Sequence, residues 1–524
     1  MRENNGSITV FLSLSLMMVI ALICVTIESV RLNGLYTHLD MAVDSSLDSI
    51  FASYDRDLME KYGVLFLDGS GGNQEYSDLY LKNEIQEYIK YEINPRIDAS
   101  LSGVTVYPMT LEEIRILNTV KATDFGGNVL EQEIVDYMKY KEIGNITERI
   151  FGWKEQIEGN RGRLEQIEKA EKTLEESDWN AVSSMNPPNL KKLEHNIIKN
   201  SDKVNDNVEE EADEYVDSQF DSERYKEEME KSIIHQAEKV KKDGFLKIVV
   251  PEGKVISGAI IKKEELPSMT SITESKWENK NLAETAARMI LYGEYILEYF
   301  PNFCSDQAKS GIQYEAEYIL FGKDSDEENL KTCVNRLLWI REGMNAAHIF
   351  SSPQKMEEAL ALATAIVGWT LIPALVTAVQ IVIVGVWAYA ESLLDVRQLL
   401  SGKKVELIKT DATWRLGLNG LKDFFNGAQM TEREDSSGLN YEDYMRILLL
   451  TMNKTEKRYR TMDMIQQNMK GISPNFDMKN YVYSVQVCVE ATAKPLFLIL
   501  PSVKNMIEQR KQPYRIIAAS GRNY

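Results

Sequence analysis

A stretch of twenty residues near the start of the chain, Ile8 to Ile27, is apolar and carries no charge. A helix rises about 1.5 Å per residue, so this stretch spans roughly 30 Å, the thickness of the hydrocarbon core of a bilayer. It is too long for the apolar part of a secretory signal peptide, and no Ala-x-Ala pattern follows it. The sequence therefore predicts a transmembrane anchor over residues 1–30, with a cleaved signal peptide as the alternative.

Residues at helical spacing continue the pattern after the anchor. They recur every three or four positions: Arg31, Leu35, Leu39, Ala42, Val43, Leu47 and Ile50. This pattern predicts that the membrane helix runs on as an amphipathic stalk. We expect residues 31–127 to hold the stalk and a first α+β segment, with strands over 62–68 and 103–108 and helices over 76–94 and from Thr110.

The character of the chain changes over residues 128–243, where Glu, Lys, Asn and Asp dominate. Sparse apolar residues still recur near helical spacing, and Pro187-Pro188 interrupts the segment. An acidic helical hairpin is the predicted arrangement. A partly disordered acidic linker is the alternative.

The remainder, residues 244–524, mixes strand and helix patterns. Alternating or β-rich segments predict strands over 245–261, 314–321, 481–489, 496–500 and 514–518. Longer periodic segments predict helices over 282–300, 324–349 and 441–469. Strands from distant parts of the chain must then pair beneath long helices, so the fold class is α+β with a mixed extracytoplasmic body.

A second uncharged stretch, residues 359–390, is long enough to cross a bilayer. Pro373 divides it, and Glu391 and Asp395 follow it directly. Two interpretations stay open: a pair of buried helices within the body, which these charges favour, or a membrane insertion.

The chain has 80 acidic and 60 basic residues and a net charge of −20. Such an excess repels the phosphates of nucleic acid, so no nucleic-acid partner is expected. Four cysteines occur without metal-ligand spacing. Cys304 and Cys333 could form a disulfide outside the cell, although free buried thiols are favoured.

The sequence contains no catalytic motif that we assign. The sequence has no HExxH, GxSxG or phosphate-binding glycine motif. The four histidines, His38, His195, His235 and His348, are interpreted as surface residues. Acidic runs at 209–211 and 324–328 lack calcium-loop spacing, and the tyrosines between 292 and 318 are interpreted as core residues. We expect no enzyme activity, no cofactor and no metal.

The first sixty residues resemble the N-terminal segment of TadE/TadG-like proteins of Flp (Tad) pilus assembly. The resemblance lies in the polar leader with Gly6 and Ser7, the apolar helix, Glu28 at its end and the small and polar residues of 39–48. In prepilin-like relatives a peptidase cuts after such a glycine, which implies a cut between Gly6 and Ser7. Phe11 stands where classical prepilins carry Glu, so an uncut anchor is the alternative.

The body is similar to an uncharacterised domain-of-unknown-function family of Gram-positive bacterial membrane proteins. The matching segments include 311–322, 341–345, 441–446 and 460–466. The resemblance of the first sixty residues to TadE/TadG-like proteins, with the body family as context, implies a non-enzymatic, single-pass membrane component of a Tad-like pilus or surface-assembly apparatus. Its partners would be the bilayer and pilin-like or pilus-assembly proteins, with the N-terminus in the cytoplasm and the bulk outside. The alternatives are a membrane-tethered enzyme acting on cell wall or polysaccharide, and an extracytoplasmic sensor or scaffold.

Overall fold

The structure is a computed structural model of the whole chain. It describes the following residues: 4–73, 75–93, 107–139, 146–177, 220–270, 282–305, 311–427, 438–497 and 513–524.

The secondary structure is mainly helical, with four strands among the described residues. In the first third the elements are α1 (Asn4–Phe51), α2 (Arg56–Tyr62), β1 (Leu67–Asp68), α3 (Asp78–Ile93), β2 (Thr110–Lys121), α4 (Asp124–Met138), α5 (Ile146–Gly159) and α6 (Arg161–Glu176). The central elements are α7 (Ser222–Lys231), α8 (Ile233–Asp243), α9 (Leu246–Val249), α10 (Pro267–Thr270), α11 (Leu282–Tyr299), α12 (Glu315–Phe321) and α13 (Asp326–Ser351). The last elements are α14 (Pro353–Val367), α15 (Pro373–Leu400), α16 (Leu421–Phe425), α17 (Tyr441–Thr451), α18 (Lys454–Lys470), β3 (Tyr481–Ala493) and β4 (Tyr514–Asn523), with 3₁₀ turns at Gly368–Thr370, Leu418–Gly420 and Met478–Asn480.

The chain divides into two compact units, each assembled from separate segments. Unit 1 comprises Met1–Lys141, Glu264–Lys280 and Lys454–Tyr524. Unit 2 comprises Glu142–Lys263 and Asn281–Asn453. The α+β class that the sequence predicts is correct, because unit 1 carries an antiparallel sheet among helices.

The sheet of unit 1 is built around β3. Strand β2 pairs antiparallel with it from Thr110–Thr492 to Lys121–Val482. Strand β4 pairs antiparallel with its other edge from Ser484–Asn523 to Ala493–Tyr514, and the short β1 pairs with its first two residues. Alternate side chains of β3 are buried, as the alternation in the sequence predicts.

The second half of α1 packs on this sheet and is part of unit 1. The predicted apolar face is the buried one, since Leu35, Leu39, Val43 and Leu47 are at most 1% exposed. These residues share one core with α3 and with the buried valines of β3. The second half of α1 is therefore continuous with the first half and packs on a sheet, while its role as a stalk stays a prediction.

The helix predicted from Thr110 is wrong, because Thr110–Lys121 is strand β2. Its opening Thr-Leu-Glu-Glu has the composition of a helix N-terminus, but pairing with β3 along its whole length overrides that local preference. The predicted strand over 62–68 reduces to Leu67–Asp68. Most of the strand predicted at 103–108 lies outside the described residues.

Unit 2 is organised around α15, whose side chains from Ile381 to Val396 are all buried. Helices α13, α14 and α6 pack against it. Gly385 permits the approach of α6, because a Cβ there would lie 2.6 Å from Cγ2 of Ile167. The uncharged stretch 359–390 thus forms the end of α14 and most of α15, and the interpretation as packed helices fits this burial.

Two strands predicted in unit 2 are wrong. Glu315–Phe321 is helix α12, ended by Gly322 at φ 62°. Its residues 315–320 are buried all round, so the sequence carries no clear period there. In 245–261, Leu246–Val249 forms a helical turn, and the segment after Pro251 makes a single bridge between Ile260 and Ser325.

The helix predicted over 441–469 is two helices, α17 and α18. Met452 adopts an extended conformation with ψ 151° and ends α17. Within the described residues, the segment predicted as a hairpin, 128–243, holds most of α4 and the separate helices α5 to α8, and Pro187-Pro188 lies outside those residues. Of the strand predicted over 496–500, the residues beyond Phe497 also lie outside them.

Candidate functional site

The first half of α1 exposes apolar side chains around its whole circumference. Phe11, Leu12 and Met18 are 71%, 68% and 78% exposed. The helix from Ile8 is long and apolar enough to cross a membrane, and its most apolar window is not buried within the structure. Helix α15 passes the same test of length and composition, but 78% of its window is buried. Exposure therefore distinguishes α1 as the candidate membrane helix.

The exposed part of α1 ends at Glu28, where the sequence places the end of the membrane helix. Glu28 and Arg31 are 3% and 2% exposed, and Arg31 Nη1 lies 2.8 Å from Glu28 Oε1. The helix itself continues without a break to Phe51. The change at Glu28 is therefore one of burial, not of secondary structure.

The Glu28 carboxylate joins α1 to the chain that follows β3. Its Oε2 accepts hydrogen bonds from the backbone N–H groups of Phe497 at 2.9 Å and Leu496 at 3.2 Å. Arg31 Nη1 also donates to the carbonyl oxygen of Lys494 at 3.1 Å. Charge-assisted hydrogen bonds in a buried setting are the strong ones, so this junction fixes the base of the exposed helix to unit 1.

The predicted processing residues, Gly6 and Ser7, lie in the first turns of α1, which begins at Asn4. Side chains up to Ser7 lie outside the described residues, so the cut between them stays a prediction. Farther along the helix, the hydroxyl of Ser13 donates to the carbonyl oxygen of Val10, and that of Thr26 to Ile23. Such internal bonds satisfy the hydroxyls without a partner from outside the helix.

Unit 2 contains a buried ionic network that centres on Asp395. Arg341 Nε donates to Asp395 Oδ2 at 3.0 Å, and Lys409 Nζ and Arg415 Nη2 lie 2.6 Å and 2.5 Å from Oδ1. Glu391, one helical turn earlier on α15, pairs with Lys409 and accepts from the backbone N–H of Leu416. Arg341, Glu391 and Asp395 are wholly buried.

The remaining donors of Arg341 also have partners. Arg341 Nη1 donates to the carbonyl oxygens of Glu406 and Leu407, both at 2.9 Å, and to the hydroxyl of Tyr444 at 3.1 Å. Burial alone would raise the pKa of Asp395, but Lys409, Arg341 and Arg415 hold it well below its usual range. A buried charge that is paired and hydrogen-bonded in this way links α13, α15 and α17 with the segment around 405–416.

A second buried group in unit 2 is the Glu317 carboxyl. Its Oε1 accepts from the backbone N–H of Phe303 at 2.8 Å and from the Tyr441 hydroxyl at 2.7 Å. Burial raises the pKa of Glu317 to about 7. The Cys333 thiol lies 3.3 Å from the same hydroxyl, and burial raises the pKa of Cys304 to about 12. Cys304 and Cys333 are free thiols, as the sequence favoured.

The other sequence candidates form no shared site among the described residues. His38 lies beside Tyr107, His235 is exposed, His348 lies 3.2 Å from Asp411, and His195 is outside the described ranges. The described part of the chain contains no group of three or more potential metal-ligating residues. Four of the five tyrosines predicted in the core are confirmed there, since Tyr292, Tyr295, Tyr314 and Tyr318 are at most 1% exposed, whereas Tyr299 is only partly buried.

Comparison with known families identifies the body of the chain. Residues 223–493 match the model of DUF5702, a family of unknown function. The chain belongs to this family. No curated protein and no solved structure matches it.

The DUF5702 match confirms that the body belongs to an uncharacterised family, and it begins earlier than the segments that suggested this from the sequence. It covers the whole ionic network and the Glu317 group, but not α1. The N-terminal helix and both sides of its junction, Glu28–Arg31 and residues 494–497, therefore lie outside the family match.

Sequence reasoning missed the ionic network. The available signal was the pair Glu391 and Asp395, four residues apart on a helix that continues an uncharged run of more than thirty residues. Arg341 and Asn345 have the same spacing on α13. Two such pairs predict a polar face on each of these core helices. Only the fold shows that Lys409 and Arg415 pair with the carboxylates of α15.

Proposed function

We propose that this protein is a membrane-anchored, non-enzymatic component of a Tad-like pilus or surface-assembly apparatus. Residues 8–27 of α1 would lie in the bilayer, and units 1 and 2 would be presented to protein partners on the outer side. The observation that carries the proposal is the continuous helix whose apolar half is exposed and whose other half is packed on a sheet.

The energetics of α1 support a lipid environment. Between Ile8 and Ile27, fourteen large apolar side chains are exposed. This exposure would be strongly unfavourable in water, because apolar surface contributes about 25 cal/mol per Å² when it leaves water. A bilayer removes that exposure and needs no change in the helix, whose backbone bonds are already satisfied internally. The buried Glu28–Arg31 pair stands where the apolar surface ends, as expected at a membrane boundary.

The proposed orientation places the N-terminus in the cytoplasm. The short leader carries Arg2 and the α-amino group against Glu3, a weak positive balance. The long remainder of the chain follows the span, and the chain as a whole has a net charge of −20. The likeness of the leader to TadE/TadG-like proteins supports the assembly context.

The geometry of the titratable groups supports a non-enzymatic role. Three carboxylates of unit 2 are buried and hydrogen-bonded to backbone or side-chain partners: Glu317, Glu391 and Asp395. A general acid or base must reach a substrate, which none of these groups does in this conformation.

A charge substitution in α1 tests the anchor. Ile20→Lys places a cation in the middle of the proposed span, where insertion costs about 3 kcal/mol, so the protein should shift from the membrane to the soluble or aggregated fraction. Leu79→Lys is the control, because Leu79 is 65% exposed on α3 of the same unit. Equal membrane retention of the two variants would contradict the anchor.

Orientation and processing need separate measurements. An impermeant amine reagent applied to intact cells should label lysines of both units. Intact mass should show loss of residues 1–6 if the peptidase acts after Gly6. Labelling of the units only after lysis would overturn the outer location, whereas an uncut mass would leave the anchor in place and make it TadG-like.

A further inference from the structure

The helix pair α14 and α15 of unit 2 has an apolar end, and the segment that forms this end contains no charged residue. It consists of residues 360–373, the C-terminal half of α14, the turn Gly368–Thr370 and the start of α15, and we call it the apolar tip. Its exposed side chains are Leu360, Ala361, Thr364, Ala365, Leu371 and Pro373. Single exposed apolar residues are ordinary, but a contiguous uncharged end is not.

The exposed face of α14 changes in polarity along the helix axis. Its first turns expose Gln354, Glu357 and Glu358, and its last turns expose the residues of the apolar tip. The distance from Glu358 to Val367 is about 14 Å at helical rise. Amphipathic helices that lie in a membrane interface enter it by roughly 5–10 Å. A helix that enters by its end needs its polarity to change along the axis, as it does in α14, and not around the axis.

Leu371 has a conformation that its side chain does not favour. Its backbone is left-handed, at φ 58° and ψ 23°, and the residue is 61% exposed. Glycine adopts this conformation without steric cost, whereas a leucine is strained in it. Packing among the described residues of the unit does not explain a large apolar side chain that is exposed at the turn. Strain at an exposed position is a reason to look for a function.

Trp369 lies at the edge of the apolar tip and is partly buried. Its indole N–H donates to the carbonyl oxygen of Ile366 at 3.0 Å. The guanidinium of Arg224 lies 4.4 Å from the ring centroid, and Phe220 stacks beside the ring. Tryptophan and arginine are the side chains that favour the boundary between lipid and water.

From these observations we infer that the apolar tip inserts into the interfacial layer of a lipid bilayer. It is a shallow contact, because α15 beyond Ile381 is buried by protein and does not reach lipid. The occupant is lipid because residues 360–373 are small and uncharged, and because Trp369 and the Arg224 guanidinium lie at their edge. The inference takes from the proposed function that a bilayer is nearby, but it concerns a different surface and can fail separately.

The test uses the full-length protein reconstituted in phosphatidylcholine vesicles that contain a phosphatidylcholine with a diazirine in its acyl chain. After photolysis, mass spectrometry maps the lipid adducts. We expect adducts in residues 8–27 and in 360–373. We expect at least fivefold fewer at Val255, Ile260 and Ile408, which are 78%, 73% and 57% exposed in the same unit.

The paired variant Leu360→Gln/Leu371→Gln should lower adducts in 360–373 at least fivefold and leave those in 8–27 unchanged. Val255→Gln/Ile260→Gln is the matched control. Adducts in 8–27 with none in 360–373 would overturn the inference and leave the anchor intact. Adducts in 360–373 without any in 8–27 would support the tip and reject the anchor. Crosslinks between two copies through the tip, without lipid adducts, would overturn it in favour of self-association.

Discussion

Individual residues in strained or buried positions give the sharpest tests of this structure. Leu371→Gly should stabilise the protein by about 1 kcal/mol, because it removes the left-handed strain and only part of that gain is offset by the greater freedom of glycine in the unfolded chain. Urea unfolding in detergent measures the change. Leu360→Gly is the control of opposite sign, since Leu360 is helical and glycine there should cost about 1 kcal/mol.

If Leu371→Gly lost stability as Leu360→Gly does, the left-handed backbone would not be a source of strain. If it gained stability and also lost lipid adducts, the same side chain would both strain the fold and serve the surface.

The Glu317 carboxyl predicts a pH dependence of stability. Its pKa is raised to about 7 from an ordinary value near 4.5, so the folded state binds the proton more tightly than the unfolded state. Its contribution is therefore fully favourable below pH 4.5 and is lost as the pH rises through 7. Between pH 5 and pH 8 the free energy of unfolding should fall by about 2–3 kcal/mol more in the native protein than in Glu317→Gln.

Glu317→Gln keeps an oxygen that can accept from Phe303 and Tyr441, which makes it a conservative variant. Glu328→Gln, at an exposed position on α13, is the control and should follow the native pH profile. A parallel profile for Glu317→Gln would show that Glu317 titrates near its ordinary pKa.

Elements with a strong single period could be predicted from the sequence. The buried face of α1, the helices α3, α11 and α13, and the alternating strand β3 all follow the spacing of their apolar residues. Helix α12 could not be predicted, because burial on all sides removes the period. Strand β2 could not be predicted either, because the strand with which it pairs, β3, is more than 350 residues away in the sequence. For the site, Glu28 was predicted and its partners at 494–497 were not.

The junction at Glu28 gives a prediction at the scale of α1. Glu28→Ala leaves the buried Arg31 guanidinium without this carboxylate, and the N–H groups of Leu496 and Phe497 without their acceptor. Removing one partner of a buried pair costs about 3 kcal/mol. Hydrogen exchange of the Leu496 and Phe497 amides should accelerate at least tenfold in this variant.

Glu112→Ala is the control, because Glu112 is an exposed carboxylate of the same unit that accepts from Thr492. It should leave exchange at Leu496 and Phe497 unchanged. Native exchange rates in Glu28→Ala would mean that the carboxylate does not hold this segment.

At the scale of the whole molecule, the family match and the structural units do not coincide. The DUF5702 match ends at residue 493, the last residue of β3. Both long neighbours of that strand, β2 and β4, lie outside the match. The match also begins after α6, which packs against α15 in unit 2. The family domain is therefore a segment of sequence that needs its flanks to complete both units.

This mismatch predicts how fragments behave. A fragment of residues 223–493 would expose both edges of β3 and the surface of α15 that α6 covers, so it should aggregate or lose its strand. A fragment of residues 142–453 keeps every segment of unit 2, including the ionic network around Asp395, and should stay soluble and unfold cooperatively. Sedimentation and thermal circular dichroism separate the two outcomes. Cooperative unfolding of a monomeric 223–493 with β-sheet signal would show that β3 needs neither neighbour, and the two-unit division would then be wrong.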